Sequence, residues 1–215
     1  MKKVSLAMKM LLFGILILLI KVANAQKNDY KATLTDCLNQ HKIQLDKTDC
    51  MNGVTAPDFT GSTIDGKNIR LNKLKGQVVV LNFWFIACAP CRAEVPGLNE
   101  VVESFKNEKV NFVSIATDNE PELKKYLTKN KFSFETIADP AFSTCQKEYN
   151  IYSYPTTIII DKNGKIRFYS VGGKVPQEDK NNNVFFPSAN KSNSDTIVKE
   201  IKDKLIPVIN ACLRN

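Results

Sequence analysis

A run of strand-forming apolar residues, followed at once by a Cys-x-x-Cys pair at the start of a helical pattern, is the feature that most constrains this fold. Residues 78–83 read Val-Val-Val-Leu-Asn-Phe, which is typical of a central strand covered on both faces. Cys88 and Cys91 follow, and residues 90–106 carry apolar side chains at helical spacing. The chain is therefore expected to build a buried strand that leads directly into a helix carrying both cysteines.

The remaining segments predict an α/β fold, with a mixed sheet flanked by helices and a hairpin on its N-terminal side. Asp65-Gly66 and Asp161–Gly164 are turn signals between extended stretches. Strands that alternate with helices predict parallel βαβ units, and a closing hairpin adds antiparallel strands to the same sheet. The expected elements are extended stretches at 57–63 and 67–71, strands at 78–83, 110–116, 156–160 and 165–171, helices at 90–106, 121–129, 142–149 and 195–212, and a polar loop at 173–194.

The position of the cysteine pair at a helix start predicts redox chemistry. The first helical turn offers unpaired N–H groups and the positive end of the helix dipole, and both stabilise a thiolate. The thiolate is the nucleophile in disulfide exchange, so Cys88 is expected to attack first. Cys91, one turn into the helix, is expected to be less exposed and to resolve the mixed disulfide.

A structural zinc site is the alternative for a Cys-x-x-Cys pair. Such a site needs a second pair of ligands at suitable spacing. His41 is the one histidine of the chain, and there is no second Cys-x-x-Cys pair. We therefore expect no metal and no other cofactor.

The first 25 residues have the order of a secretory signal peptide, in which a basic start precedes an apolar run and small residues. The run from Met10 to Ile20 is shorter than the about 20 residues of a membrane-spanning helix. Ala23-Asn24-Ala25 gives a cleavage pattern before Gln26, and an uncleaved anchor is the alternative. We expect a periplasmic or otherwise extracytoplasmic protein. Its expected parts are a signal peptide at 1–25, an N-terminal extension at 26–53 and the main domain at 54–215.

The charge of the chain gives no argument for a nucleic-acid partner. Loss of residues 1–25 would remove four lysines and lower the formal net charge from +8 to +4. The remaining lysines are scattered, without an arginine-rich stripe.

The six cysteines are an even number, which suits an oxidising compartment. If the Cys-x-x-Cys residues pair, the other four allow three connectivities. Cys37 and Cys50 share the extension and most simply form a structural disulfide. Cys145 is expected to be a buried thiol or bonded to the extension, whereas Cys212 is placed to form an intermolecular bond.

Five spaced motifs carry a resemblance to a known family. They are Trp84-Phe85-Ile86-Ala87-Cys88-Ala89-Pro90-Cys91, Pro96, Tyr154-Pro155-Thr156, Ala56-Pro57-Asp58-Phe59 and Glu94. Together they resemble the thioredoxin-like superfamily, and within it the exported TlpA/ResA-like thiol–disulfide oxidoreductases. The resemblance covers residues 54–172 well and the final helix loosely, and it implies a thioredoxin-like fold.

The resemblance also implies roles for the residues around the cysteine pair. Pro155 would be cis and lie against the disulfide, and the backbone beside it, at Tyr154, would bind an extended substrate segment. Glu94 would accept the proton of the resolving thiol, with an ordinary exposed glutamate as the alternative. Trp84 would form a shelf beside the active site rather than plain core, and Pro90 would belong to the substrate-binding surface.

Two residues depart from the family pattern. Asn82 stands where many thioredoxins have a buried aspartate, and an amide cannot accept the proton of Cys91. This departure is the reason to consider Glu94 as the base. Ala87 replaces the tryptophan that often precedes the first cysteine, which is expected to open the surface beside Cys88.

The function implied by the resemblance is reduction of disulfides in exported proteins. Apocytochromes c are the implied substrate class, which would place the protein in cytochrome c biogenesis, and a membrane thiol is the implied electron donor. The Ala-Pro dipeptide between the cysteines lacks the histidine of the strongly oxidising Cys-Pro-His-Cys type, which favours a reductant.

Two other functions remain as alternatives. The Ala56–Phe59 opening is shared with peroxiredoxin-like peroxidases. Their site needs Thr or Ser three residues before the nucleophile and Pro four further back, where this chain has Phe85 and Leu81. The third function is a binding module whose Cys-x-x-Cys pair is only a structural disulfide.

Overall fold

The fold is described here from a computed structural model. It describes residues 11–16, 21, 29–37, 39, 49–172, 177–178, 184–185 and 191–214. The strands are β1 (Thr60–Ser62), β2 (Asn68–Arg70), β3 (Val78–Trp84), β4 (Val110–Ala116), β5 (Glu135–Ala138), β6 (Thr156–Ile160), β7 (Ile166–Val171), β8 (Gln177–Glu178) and β9 (Val184–Phe185). The helices are α1 (Ala89–Ser104), α2 (Glu120–Leu127) and α3 (Lys191–Arg214), with a π-helical segment at Ser143–Glu148 and 3-10 turns at Asp49–Met51 and Leu71–Lys73.

The central sheet has five strands in the order β5-β4-β3-β6-β7. Strand β3 pairs in parallel with β4 and antiparallel with β6, so it lies in the middle. Strand β5 extends the parallel side and β7 the antiparallel side, while β1 and β2 form a separate hairpin. The mixed sheet with an N-terminal hairpin, predicted from the sequence, is confirmed.

The residues of β3 alternate between two cores. Val79, Leu81 and Phe83 join a cluster that contains the hairpin, the π-helical segment and part of the N-terminal extension. Val78 and Val80 face the opposite side, where side chains of α1 and α3 pack. Because both faces are covered, every residue of β3 is buried, and the strand holds the start of α1 in a fixed place.

The structure differs from the predicted elements in three places. Strand β5 was not predicted, because its four residues lack a long apolar run and gain their strand partners from β4. Helix α3 begins at Lys191, earlier than the predicted residue 195. Most of the predicted loop at 173–194 lies outside the described residues, but β8 and β9 within it pair antiparallel.

The N-terminal extension packs against the sheet through buried aromatic and aliphatic side chains. Residues 29–37 are helical, and Tyr30 and Leu34 are fully buried. The Tyr30 hydroxyl donates to the backbone oxygen of Tyr149 at 2.9 Å. A disulfide joins Cys37 to Cys50, and a loop of this size contributes about 2–4 kcal/mol in the chain-entropy model.

Cys145 and Cys212 are free thiols, and both are buried. Burial raises the pKa of each, and for Cys145 the neighbouring Asp139 carboxylate raises it further. A buried thiol with a raised pKa is inert in exchange. The intermolecular bond expected at Cys212 is therefore not favoured by its position, because the side chain is 3% exposed.

Residues 11–16 are helical and exposed. Within the part of the chain that the structure describes, no helix has the length and apolar character needed to cross a bilayer. The expected cleavage site at 23–26 lies outside the described residues.

Candidate active site

The cysteine pair lies where β3 ends and α1 begins. Cys88 is the N-cap of α1, and its Sγ accepts a hydrogen bond from the backbone N–H of Cys91 at 3.2 Å. The two sulfurs are joined in a disulfide. Cys88 is 6% exposed and Cys91 3%, so the first cysteine is only slightly more accessible in this oxidised form. The stronger distinction is the helix position, since the N-terminal N–H groups stabilise a thiolate on Cys88.

Trp84 lies beneath the cysteine pair and not at the surface. It is 1% exposed and belongs to the same apolar cluster as both cysteines. Its ring packs against Tyr126 and Phe132, with centroids at 6.0 and 5.5 Å. The structure therefore places Trp84 beside the active site, as expected, but aromatic rings from neighbouring segments cover it, and its side chain is not open to a substrate.

Tyr154 and Pro155 form the loop before β6. The peptide bond between them is cis, and Pro155 is buried. The Tyr154 ring packs edge-on against Phe85, with centroids 5.4 Å apart, and borders the cluster that contains Cys88 and Cys91. The structure thus brings this loop to the cysteine pair. Pro90, in the first turn of α1, is partly exposed.

Glu94 lies one turn beyond Cys91 on α1; its side chain is partly buried, and its carboxyl lies against Gly172. Burial raises the pKa of this carboxyl from 4.5 to about 7, and the positive charge of Lys204 on α3 reduces the effect. The ordinary exposed glutamate considered from the sequence is therefore wrong. A carboxyl with a pKa near 7 can accept and release a proton at neutral pH.

Asn82 is buried in the middle of β3. Its side-chain amide donates to the hydroxyl of Thr157 on β6 at 3.0 Å. The amide is therefore committed to a cross-strand hydrogen bond, and it does not ionise.

Asp118 and Arg92 hold the loop before Cys88, and neither residue was predicted from the sequence to belong to the site. The backbone N–H of Ile86 donates to Oδ2 of Asp118 at 2.8 Å, and the oxygen of Ile86 accepts from Nη1 of Arg92 at 3.4 Å. Asp118 follows the carboxyl end of β4, next to the end of β3. A polar residue just after the carboxyl end of a parallel strand often lies at a functional site, so the position of Asp118 after β4 could have pointed to it from the sequence.

Replacing Asp118 by alanine is expected to slow disulfide exchange several-fold and to lower stability by about 1 kcal/mol. A hydrogen bond to a charged acceptor contributes about 1.5–3 kcal/mol, and partial exposure reduces this. The matched control is Asp58→Ala. Asp58 also accepts a backbone N–H, from Asn72, and pairs with Arg70, but it lies at the hairpin. Stopped-flow exchange rates and urea unfolding of both variants test this. Equal rate losses would contradict a specific role of Asp118.

Asp139 and Cys145 lie beside Tyr154. Asp139 is buried and accepts the backbone N–H groups of Ser143, Thr144 and Cys145 at 2.7–2.9 Å. The pKa of Cys145 also responds to Tyr154, so the thiol lies beside that side chain. Across the described residues, no group of three or more His, Cys, Asp or Glu side chains is arranged to hold a metal ion.

Comparison with known proteins agrees with this site. Residues 52–169 match the AhpC/TSA family model. The thiol–disulfide oxidoreductase ResA of Bacillus cereus is 30% identical over 169 residues, which cover 78% of this chain and 91% of that protein. ResA of Geobacillus thermodenitrificans is 33% identical over 136 residues, covering 62% of this chain and 76% of that protein.

Solved structures share the fold. A Chlorobium tepidum protein assigned as thiol:disulfide interchange protein DsbE superposes with a TM-score of 0.54 at 24% identity, covering 74% of this chain and 97% of that one. The thioredoxin domain of a Bacteroides vulgatus thiol–disulfide oxidoreductase gives 0.51 at 25% identity, with 70% and 97% covered. With its cysteine pair at the start of α1, the chain belongs to the AhpC/TSA family of thioredoxin-like proteins and is a thiol–disulfide oxidoreductase.

Proposed function

We propose that this protein is exported and that its reduced form reduces disulfides in extracytoplasmic proteins. The observation that carries the proposal is the Cys88–Cys91 disulfide at the N-terminus of α1, beside the Tyr154–Pro155 loop. The order of basic, apolar and small residues in 1–25 supports export.

The exchange runs in two steps. The Cys88 thiolate attacks a substrate disulfide, forms a mixed disulfide and releases one substrate sulfur as a thiolate, which takes up a proton. Cys91 then loses its proton and attacks Sγ of Cys88, which releases the second substrate thiol. Two electrons pass from the protein dithiol to the substrate, and the protein is left with the disulfide seen here.

The substrate segment is proposed to bind along the Tyr154 backbone. Among the described residues, neither the N–H nor the C=O of Tyr154 has a backbone hydrogen-bond partner, which fits pairing of this loop with an extended chain. Ala87 is exposed, and its small side chain leaves the surface beside Cys88 open. An extended peptide pairing with this loop would bring its own disulfide to Cys88.

Glu94 is proposed to take the proton of Cys91 in the second step, directly or through a water molecule. It lies on the helix that carries both cysteines, and its pKa of about 7 suits proton transfer at neutral pH. Asn82, at the usual place of a buried acid, does not ionise, so it cannot serve instead.

Apocytochromes c are the proposed substrate class, and a membrane thiol protein is the proposed electron donor. The similarity to ResA proteins and the family motifs support this choice. An oxidised peptide with a Cys-x-x-Cys-His haem-attachment motif is a suitable probe. The reduced protein is expected to convert it to the dithiol, faster than it reduces a peptide with the same residues and the two cysteines moved apart. Oxidation of the dithiol peptide by the disulfide form would contradict the proposed direction.

A peroxidase is the second function to test, because the Ala56–Phe59 opening, which peroxiredoxin-like peroxidases share, lies within the residues that match the AhpC/TSA family model. Phe85, which packs on Tyr154, stands where a peroxide site needs Thr or Ser, and the fully buried Leu81 stands where it needs Pro. We expect hydrogen peroxide to be consumed no faster than by free thiols. Rapid turnover of peroxide would make the peroxidase the better assignment.

A further inference from the structure

Gly172, the residue that follows β7, lies against both Glu94 and Pro155. Its N–H donates to the backbone oxygen of Pro155 at 2.7 Å. A β-carbon at position 172 would overlap Oε1 of Glu94 and would lie 2.9 Å from Cγ of Pro155. The carboxyl of Glu94 therefore fills the space that the side chain of any other residue at 172 would need.

The backbone conformation does not account for glycine at this position. Gly66 and Gly164 have φ values of +84° and +78°, in the left-handed region that favours glycine. The φ of Gly172 lies outside that region, so it does not by itself require glycine. The remaining reason is space, since glycine permits a close approach that a β-carbon prevents.

We propose that Gly172 is a positioning residue for Glu94, because the missing β-carbon lets the carboxyl lie between α1 and the Pro155 loop. The inference rests on the proposed role of Glu94 in proton transfer. Gly172 touches no reacting atom. It acts by keeping the carboxyl on the side of α1 that faces the loop, where the resolving cysteine is one helical turn away.

The same enclosure governs the ionisation of Glu94. Burial raises its pKa to about 7, and Lys204 is the charged group that acts on it from α3. The residues nearest to the Glu94 carboxyl from the Pro155 loop and from the end of β7 are Pro155 and Gly172, and neither of them ionises. A carboxyl pushed into water would return towards the ordinary pKa of a glutamate.

The test is Gly172→Ala, studied in the full mature chain. The carboxyl ¹³C resonance of Glu94, assigned by its loss in Glu94→Gln, is titrated in both backgrounds. We expect its pKa to fall from about 7 towards 4.5 in Gly172→Ala. The rate of peptide-disulfide reduction at pH 8 is expected to fall about tenfold, less than the ~10²–10⁴-fold that a well-placed general base contributes.

Two variants show whether the effect passes through Glu94. Gly61→Ala is the matched control, because the β-carbon of this residue in β1 would lie 2.8 Å from Cγ2 of Ile137 in β5. It should leave the pKa of Glu94 and the rate of peptide-disulfide reduction unchanged. In the Glu94→Ala background, the added Gly172→Ala should change the rate less than about twofold, because residues in contact do not act additively.

An unchanged pKa of Glu94 in Gly172→Ala would overturn the inference, and so would an equal rate loss in the Glu94→Ala background. If the pKa falls but Glu94→Gln reacts like wild type, the contact stands and the proton-transfer role of Glu94 is wrong. If Gly172→Ala does not fold, the double variant should fold, because the overlap with the carboxyl is gone. Failure of both to fold would show that the space beside Pro155, and not Glu94, requires glycine.

Discussion

Replacing Cys88 by serine is expected to abolish turnover, with a loss on the order of 10³-fold or more to the background rate. Removing the attacking nucleophile of a covalent mechanism leaves only binding and positioning. A serine hydroxyl at the start of α1 is not ionised at neutral pH, even beside the helix N–H groups that stabilise a thiolate. Initial rates with an excess of thiol donor and peptide disulfide measure the loss.

Cys91→Ser is expected to have a different effect, because the first step remains possible. Cys88 would attack, and the mixed disulfide would accumulate without a resolving thiol. Non-reducing gels and intact mass show the trapped adduct. Cys212→Ala removes a buried thiol near the end of α3 and is the control that should react normally. Trapping by Cys88→Ser instead of Cys91→Ser would reverse the two assigned roles.

Glu94→Gln is expected to slow resolution of the mixed disulfide by up to about 10²-fold at pH 8, at the lower end for a general base. The raised pKa means that Glu94 is protonated below about pH 7 and ionised above it. Only the ionised form accepts a proton, so the wild-type rate should rise as the pH passes through about 7. In Glu94→Gln this rise should be absent, leaving the rise above about pH 8 that thiol ionisation produces.

The pH–rate profiles of wild type and Glu94→Gln against the same oxidised peptide decide this point. Glutamine keeps the size of the side chain and should leave the packing on Gly172 in place. Thermal unfolding at pH 8 checks that the fold is retained. Superimposable profiles would show that water alone serves Cys91.

The fold and the cysteine pair were predictable because their signals are local. The continuous apolar run of β3 required cover on both faces, and the structure confirms that every one of its residues is buried. The Cys-x-x-Cys pair opens α1 as its spacing after β3 indicated. The turn at Gly164 was visible in the residue types. In each case a few neighbouring residues determine the outcome.

The surroundings of the site depend on contacts between distant residues, and a single sequence does not display them. Glu94 and Gly172 meet only because β7 ends beside the Pro155 loop, and Ile86 meets Asp118 only because β3 and β4 are neighbours. Trp84 was expected beside the active site because its motif marks that site. The motif does not show that Phe132 packs over it.

Cys88 and Cys91 are expected to form a reversible two-electron redox couple. The direct test is equilibrium titration of the protein in mixtures of reduced and oxidised dithiothreitol. The one tryptophan of the chain, Trp84, lies in the same cluster as both cysteines and serves as the fluorescent reporter. We expect one transition, with a slope of about 30 mV per tenfold change in the ratio of reduced to oxidised protein, as for a two-electron couple. Its reduction potential should be more negative than about −200 mV, as for a reductant. Mass mapping of alkylated thiols should place that transition at Cys88 and Cys91, with Cys37–Cys50 still oxidised. A titration in which Cys37–Cys50 is reduced while Cys88–Cys91 stays bonded would contradict the account.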